Sequence, residues 1–449
     1  MKRTIILSLF LILALALAAC GGGTTAEPAA QPAANDAAAP AADQPADTEA
    51  AAPAATTTET MVIGFTASQT GSQNVASTGQ VNGLNLWKDT VNAAGGIELP
   101  NGTKVMVEFV SYDDESNTDR VQELYTRLAT EDNANFLISP YSSGLTAAAA
   151  VIAEQYGKVM ITTGAASDDT YKQGLTMVYQ AYTPASRYLT GAVDLLEHVD
   201  VNAKNIAFVY ENSKFSTDVV EAARQYAEGK GYNVVLAEGY DPETTDFGPF
   251  INKIQDAKPD AIMGGGHFQD GSTFARQLNE KNIGVSFFAL LVAPPEPDFA
   301  DLGEAAVGVV GPSQWELQAA FTPESATAAG LDWYGLLGEE FVQGYEAKYD
   351  GTEPSYHAAG GYAAGLILEK AIIDAGSTDP DAVRQALEAM NLLTFFGHIQ
   401  FDTTAEAHGL QTGHSMVYIQ WQKDASGNLV KEVVWPLEGA TAETLYPAP

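Results

Sequence analysis

From Met61 onward, short apolar runs alternate with longer amphipathic segments, and this alternation restricts the chain to the α/β class. Met61-Val-Ile-Gly-Phe65, Val105 to Val110, Phe136-Leu-Ile-Ser139 and Val159-Met-Ile-Thr162 are short, apolar and bounded by polar residues or glycine, the pattern of buried strands. Between them Val121, Leu124, Tyr125 and Leu128 recur at i, i+3, i+4 and i+7, and Val81, Leu84, Trp87 and Val91 make a second stripe, so helices are predicted there. Strand, helix and strand in repeated order imply a parallel sheet covered on both faces.

The pattern then restarts. Ile206 to Tyr210, Asn233 to Leu236, Ala261 to Met263 and Val285 to Leu290 are strand-like, separated by helical stretches near 217–230, 247–257 and 270–282. Beyond Pro312 come helical segments at 334–349, 357–375 and 379–390. A final β pair, Met416 to Gln422 and Leu429 to Val434, turns on Ser426-Gly427-Asn428. Two α/β units sharing a mixed C-terminal stretch place a ligand site in the cleft between them, since ligands of open α/β sheets sit beyond the carboxyl ends of strands. A length of 449 residues, 46% hydrophobic, is ample for two such cores.

The N-terminus is of another kind. Lys2 and Arg3 precede an apolar run from Ile5 to Leu17, and Leu17-Ala18-Ala19-Cys20 follows directly, the form of a lipobox. The expectation is a signal peptide over 1–19, cleavage before Cys20 and a lipid anchor on that thiol. The run is shorter than the roughly 20 residues a membrane span needs. Residues 20–60 are rich in Ala, Pro and Thr with scattered acids and no aromatics, a disordered spacer rather than a core or an interaction module. Cys20 is the single cysteine, which excludes an internal disulfide and a thiolate metal cluster. With 57 acidic against 22 basic residues, a formal charge of -35, binding to nucleic acid or to anionic headgroups is also excluded.

Gly64-Phe-Thr-Ala-Ser-Gln-Thr-Gly71, Asn92-Ala-Ala-Gly-Gly-Ile97, Ser111-Tyr-Asp-Asp114, Ser139-Pro-Tyr-Ser-Ser143, Ile161-Thr-Thr-Gly-Ala-Ala-Ser167, Asp260-Ala-Ile-Met-Gly-Gly-Gly-His267 and Ser355-Tyr-His-Ala-Ala-Gly-Gly-Tyr362 follow one another in order. Taken together they resemble the leucine/isoleucine/valine-binding family of periplasmic binding proteins over essentially all of the chain after the spacer. The resemblance implies a two-lobed type I fold, each lobe a largely parallel sheet flanked by helices, joined by a three-strand hinge. Crossings are expected near Tyr182-Thr-Pro184, Gly311-Pro-Ser313 and 408–415, giving one lobe of 61–182 with 313–408 and another of 183–312 with 409–446. It further implies hinge closure around a small solute, an ABC permease with its ATPase as partners, an extracytoplasmic, lipid-tethered location, and a monomer.

The same resemblance points to site residues. Ser142 and Ser143 end a strand and open a helix, where hydroxyls and free N–H groups suit a carboxylate. Ala165, Ala166 and Ser167 lie at the next strand end, with Ala166 where the family often has Thr and Ser167 in place to compensate. Phe215 and His267 align with aromatic residues of the second lobe, and Tyr356 and His357 begin a helix facing the cleft. The main departure is Leu291, which stands where amino-acid binders carry an acid for the ligand's ammonium. Asp168, Glu211, Asp270 or Glu316 could supply that charge instead, so the ligand is left as an amino acid or a related carboxylate or amide.

Other chemistry finds little footing. His398, His408 and His414 match no metal-ligand spacing, and Gly264-Gly265-Gly266 fails both nucleotide-loop patterns because Gln269 stands where the last glycine belongs. There is no G-x-S-x-G, no H-E-x-x-H and no spare cysteine, so no enzyme and no cofactor are expected. The rival reading is a ligand-binding sensor of the same fold that signals through a separate membrane partner.

Overall fold

Strand β1 (Thr58–Ala67) is buried at nearly every position from Met61 to Ala67, because it lies inside a sheet with helices on both faces. The structure, a computed structural model, describes residues 57–449, so the signal segment, Cys20 and most of the spacer fall outside the described residues. The strand starts three residues ahead of the apolar run: Thr58, Glu59 and Thr60 are exposed but pair with Lys104, Val105 and Met106. Backbone pairing alone extends it, which hydrophobicity does not reveal.

The first pass continues through α1 (Asn74–Ala93), β2 (Ile97–Glu98), β3 (Lys104–Asp113), α2 (Thr118–Thr130), β4 (Phe136–Ile138), α3 (Ser143–Gln155), β5 (Met160–Thr162) and β6 (Val178–Gln180). These form a six-stranded sheet in the order β2-β3-β1-β4-β5-β6, parallel except for β2 against β3. Helix α2 shows why such segments are helical. Asn117 caps its N-terminus by accepting from the Arg120 amide at 3.0 Å, Asp119 and Arg127 complement the helix dipole at the two ends, and Val121, Leu124, Tyr125 and Leu128 form the buried stripe.

The second pass runs α4 (Thr190–Val199), β7 (Asn205–Glu211), α5 (Lys214–Gly229), β8 (Asn233–Tyr240), α6 (Gly248–Ala257), β9 (Ala261–Gly265), α7 (Phe268–Glu280), β10 (Phe287–Leu290) and β11 (Val309–Ser313). A third pass holds α8 (Pro323–Ala329), β12 (Asp332–Trp333), α9 (Gly338–Lys348), α10 (Tyr356–Ala375), α11 (Pro380–Glu388), β13 (Asn391–Leu393) and β14 (His398–Gln400). The last pass adds β15 (Val417–Lys423) and β16 (Leu429–Trp435). The second sheet has the order β16-β15-β11-β10-β9-β7-β8, parallel except for β15, which runs antiparallel to its neighbours β11 and β16, and β12, β13 and β14 make a small third sheet.

One apolar core joins Met61 to Tyr182 with Trp315 to Phe401, whereas Met416, Tyr418 and Val434 pack with the second sheet. The chain thus leaves the first lobe between β6 and α4, returns between β11 and α8, and leaves again between β14 and β15. All three passages meet at Thr183. Its amide donates to Gln314 Oε1 at 2.9 Å, and its hydroxyl lies 2.7 Å from His414 Nδ1.

Helix α10 lies directly on α1. A Cβ on Gly83 would stand 1.8 Å from the Ala358 carbonyl oxygen, and one on Gly361 2.0 Å from that of Gln80, so only glycine permits this backbone approach. The contact is secured by Trp87 Nε1, which donates to Glu369 Oε2 at 2.8 Å. Among the described residues no helix is long and apolar enough to cross a membrane.

Gly361→Ala should lower unfolding free energy in urea by about 1–3 kcal/mol through overpacking, even though alanine favours helix. Gly344→Ala in α9, whose nearest neighbour would be Leu86 at 3.7 Å, should instead be neutral or slightly stabilising.

Candidate functional site

The carboxyl ends of both sheets face one cleft. On the first-lobe side, Ser139 closes the turn after β4 by donating its hydroxyl to the Thr163 carbonyl at 3.0 Å, and Gln80 Nε2 donates to the Ser139 carbonyl at 2.8 Å. Tyr141 and Ser142 are thereby held at the mouth of α3. Gly164 follows β5 with φ +69°, and a Cβ there would come within 2.5 Å of the Tyr141 ring. The second lobe offers Phe215 from the start of α5, His267 at the N-cap of α7 and Val292 just beyond β10, while Tyr356 and His357 open α10.

These residues, with Ala166, Tyr182 and Tyr188, enclose about 10 Å³, no more than one water molecule needs. A larger guest enters only if the lobes part. The walls are aromatic. Tyr141 stands edge-on to both His267 and His357, with centroids 5.8 and 5.0 Å apart, and Tyr188 is edge-on to Phe215 at 5.1 Å. The Tyr188 and Tyr356 hydroxyls are hydrogen-bonded at 3.0 Å.

Two buried carboxylate and histidine pairs set the electrostatics. Glu211, at the end of β7, lies 2.7 Å from His267 Nδ1, and Glu296, in the loop after β10, bonds His357 Nδ1. Burial pushes the His267 pKa down, but the Glu211 charge and contact outweigh it and hold the imidazole above its ordinary value. Burial likewise opposes ionisation of Glu211, and His267 reverses this to hold its carboxyl below the usual range. Asp270 is pushed up to about 6, first by burial and then by the nearby Glu211 charge.

Glu211, His267 and Asp270 place their donor atoms within 4.8 Å of one another. Asp270 is nonetheless engaged on both oxygens, accepting from the His267 amide at 2.7 Å and from the Tyr240 hydroxyl, and Glu211 faces His267 Nδ1. Asp270 is thus committed on both oxygens, while Glu211 Oε2 and both His267 ring nitrogens are buried without a hydrogen-bond partner.

Of the residues singled out in the sequence, Ser142, Ala166, Phe215, His267, Tyr356 and His357 line the cleft. Ser143 stands behind it, its hydroxyl oxygen accepting from the Ala166 and Ser167 amides at 3.0 and 3.1 Å. Ser167 donates to Asp218, and the Ala165 carbonyl accepts from Gln180 Nε2 at 3.2 Å. Leu291 is fully buried in the second-lobe core, and its neighbour Val292 lines the cleft. Sequence reasoning missed Tyr141, Tyr182, Tyr188 and Glu296. The first lay inside a quoted motif, but nothing in the Pro294-Pro295-Glu296 loop marks an acid that reaches across to another lobe. His398, His408 and His414 are separate, bonded to Asn391, Glu388 and Thr183 respectively.

A pH effect on stability follows from these pairs. Asp270, raised in the fold, stabilises less as pH climbs through about 6, and His267, also raised, loses its contribution as pH passes its folded value; Glu211 is already ionised above pH 5. Stability should therefore fall by about 1 kcal/mol from Asp270 alone between pH 5 and 7. Denaturation of Asp270→Asn at both pH values should show that part of the slope removed.

The architecture and the chain's relatives agree. The profile of the periplasmic binding protein family matches residues 60–427. Leu/Ile/Val-binding protein homolog 7 of Brucella melitensis is 26% identical over 378 residues, covering 81% of this chain and 88% of its own length. The crystal structure of the branched-chain amino acid transporter substrate binding protein LivJ from Streptococcus pneumoniae, in complex with isoleucine, superposes with a TM-score of 0.67 at 22% identity, covering 84% of this chain and 100% of LivJ. A solute binding protein of an ABC transporter from R. palustris, in complex with 4-hydroxybenzoate, gives 0.70 at 19% identity, covering 87% and 98%. These relatives are substrate-binding proteins and not enzymes. With its two facing α/β lobes and a profile match over most of its length, the chain belongs to the periplasmic binding protein family and has the type I, leucine/isoleucine/valine-binding architecture.

Proposed function

We propose that this protein is a lipid-anchored, extracytoplasmic solute-binding protein that captures a small carboxylate-bearing or amide-bearing solute in the interlobe cleft and delivers it to an ABC permease and its ATPase. The observation that carries this reading is the closed aromatic cleft between the carboxyl ends of the two sheets, with Ser142 at the mouth of α3 and rings from both lobes around it. A pocket lined by tyrosines, phenylalanine and histidines suits an apolar or aromatic body, and the α3 N-terminus suits an anionic head. The relatives bind solutes of both kinds, isoleucine in one and 4-hydroxybenzoate in another.

Ser142, Ala166, Phe215, His267, Tyr356 and His357 are the contacts in this reading, joined by Tyr141, Tyr182 and Tyr188. Ser143, Ala165 and Ser167 shape the wall behind them, and Leu291 acts through the position it gives Val292. The residues of the first lobe are those of 61–182 and 313–408, and closure swings 183–312 and 409–446 against them about the passages joined at Thr183. The anchor on Cys20 and the acidic spacer keep the folded part near the membrane surface.

A thermal-shift screen against amino acids, small organic acids and their amides tests the reading. A cognate solute at about 100 times its Kd adds about 2.7 kcal/mol to stability, a plain rise in Tm. Phe215→Ala should weaken binding of that solute at least tenfold, a loss of about 1.4 kcal/mol measured by calorimetry. Absence of a shift with every class overturns the importer reading and favours a sensor. For the anchor, Cys20→Ser should move the protein from the detergent phase to the aqueous phase on phase separation.

A further inference from the structure

The two histidines of the cleft come from opposite lobes and are built alike. His267 caps α7 in the second lobe, with Glu211 2.7 Å from its Nδ1. His357 opens α10 in the first lobe, and its Nδ1 is bonded by Glu296, which comes from the second lobe. Each buried glutamate engages the same ring nitrogen, so in each ring Nε2 is the atom left over. Both His267 ring nitrogens are buried without a hydrogen-bond partner, Nδ1 resting against Glu211 as an ion-pair contact only, and for His357 the one hydrogen bond among the described residues is that of Nδ1. A buried polar nitrogen without a partner is costly unless something else completes it.

The charges around the cleft define what that partner is. Among the described residues no lysine or arginine lines it. An ammonium group would need an uncommitted carboxylate, yet Glu211 and Glu296 each face a histidine, and Asp270 holds the His267 amide and the Tyr240 hydroxyl. The end of β10 contributes only Val292 to the lining, with Leu291 turned into the core. A histidine whose Nδ1 faces a carboxylate is fixed in orientation with Nε2 as its free donor position, and at His267 the Glu211 charge also favours the charged form.

We infer that the cleft selects an organic acid lacking an α-amino group, and that its carboxylate is held between Nε2 of His267 and Nε2 of His357. Glu211 and Glu296 are positioning residues. Because Glu296 reaches His357 across the cleft, the second donor is oriented only when the lobes are closed, which couples recognition of the carboxylate to closure. This inference rests on the proposed role of the cleft as the solute site and names the class of solute.

Calorimetry on the detergent-solubilised full-length chain tests it with two matched sets: 3-phenylpropanoate, phenylalanine and 3-phenylpropanamide, and 4-methylpentanoate, leucine and 4-methylpentanamide. In at least one set the amine-free acid should bind at least tenfold tighter than both the amino acid and the amide. Its affinity should fall as the pH rises through the folded pKa of His267, which lies above the ordinary imidazole value, while amide binding stays level. The groups facing His267 are Glu211 from β7, Asp270 from α7 and Tyr141 from the turn before α3; those facing His357 are Glu296, Tyr141, Tyr182 and Tyr356.

Asp270→Asn should keep the pH dependence of acid binding, whereas His267→Gln should abolish it together with most of the affinity. Glu296→Gln should weaken the acid several-fold and leave the amide unchanged. Melting curves without solute establish that each variant folds, and His357→Gln serves where His267→Gln does not. Tighter binding of either amino acid than of its amine-free counterpart, or pH dependence that survives both histidine substitutions, overturns the inference and leaves solute capture in the cleft intact. Failure of both whole sets to bind overturns the inference and counts against the cleft as a site for such solutes.

Discussion

Thr183 is hydrogen-bonded to both of the other chain passages between the lobes, to Gln314 through its amide and to His414 through its hydroxyl. Each lobe has its own apolar core, so the relation between them depends on this junction and on what meets across the cleft. Burial reinforces the tie. His414 is held in its neutral form, its pKa pushed down to about 4 by burial, so the junction does not acquire a charge at ordinary pH. Three short segments thus join the lobes and are tied at one hydrogen-bonded point.

What faces the cleft is fixed by how tightly the first lobe packs. Gly83 and Gly361 let α1 and α10 approach to backbone contact, and this brings the first turn of α10, with Tyr356 and His357, over the carboxyl ends of β4 and β5. A side chain at either glycine would lift that turn. The aromatic walls thus follow from a helix crossing whose residues never touch the cleft.

The buried acids make the electrostatic character of the site. A carboxylate moved out of water without a partner is strongly disfavoured, so Glu211 and Glu296 are stable there because each meets a histidine. The pairing has two effects. It removes the acids as partners for a cationic solute group, and it orients the ring nitrogens that remain. The apolar stretch at Leu291 and Val292 adds no further charge to this arrangement.

The sequence by itself determined the class of fold and the order of its parts. Strand and helix periodicities at Met61 to Phe65, Val121 to Leu128 and Ile206 to Tyr210 are local properties, set by which faces must be buried, and they placed most of the longer elements. The short strands β6 and β12 to β14 left no such trace, because two or three residues carry no period. The family resemblance carried by the ordered motifs also led to Ser142, Phe215, His267, Tyr356 and His357. Tertiary structure decided the rest. That Ser143 and Ser167 turn to internal bonds, that Leu291 faces the core while Val292 faces the cleft, and that Glu296 reaches His357 from 61 residues away in the chain all depend on distances between segments far apart in sequence. Burial and pairing of charge are properties of such distances, and no local pattern of residues contains them.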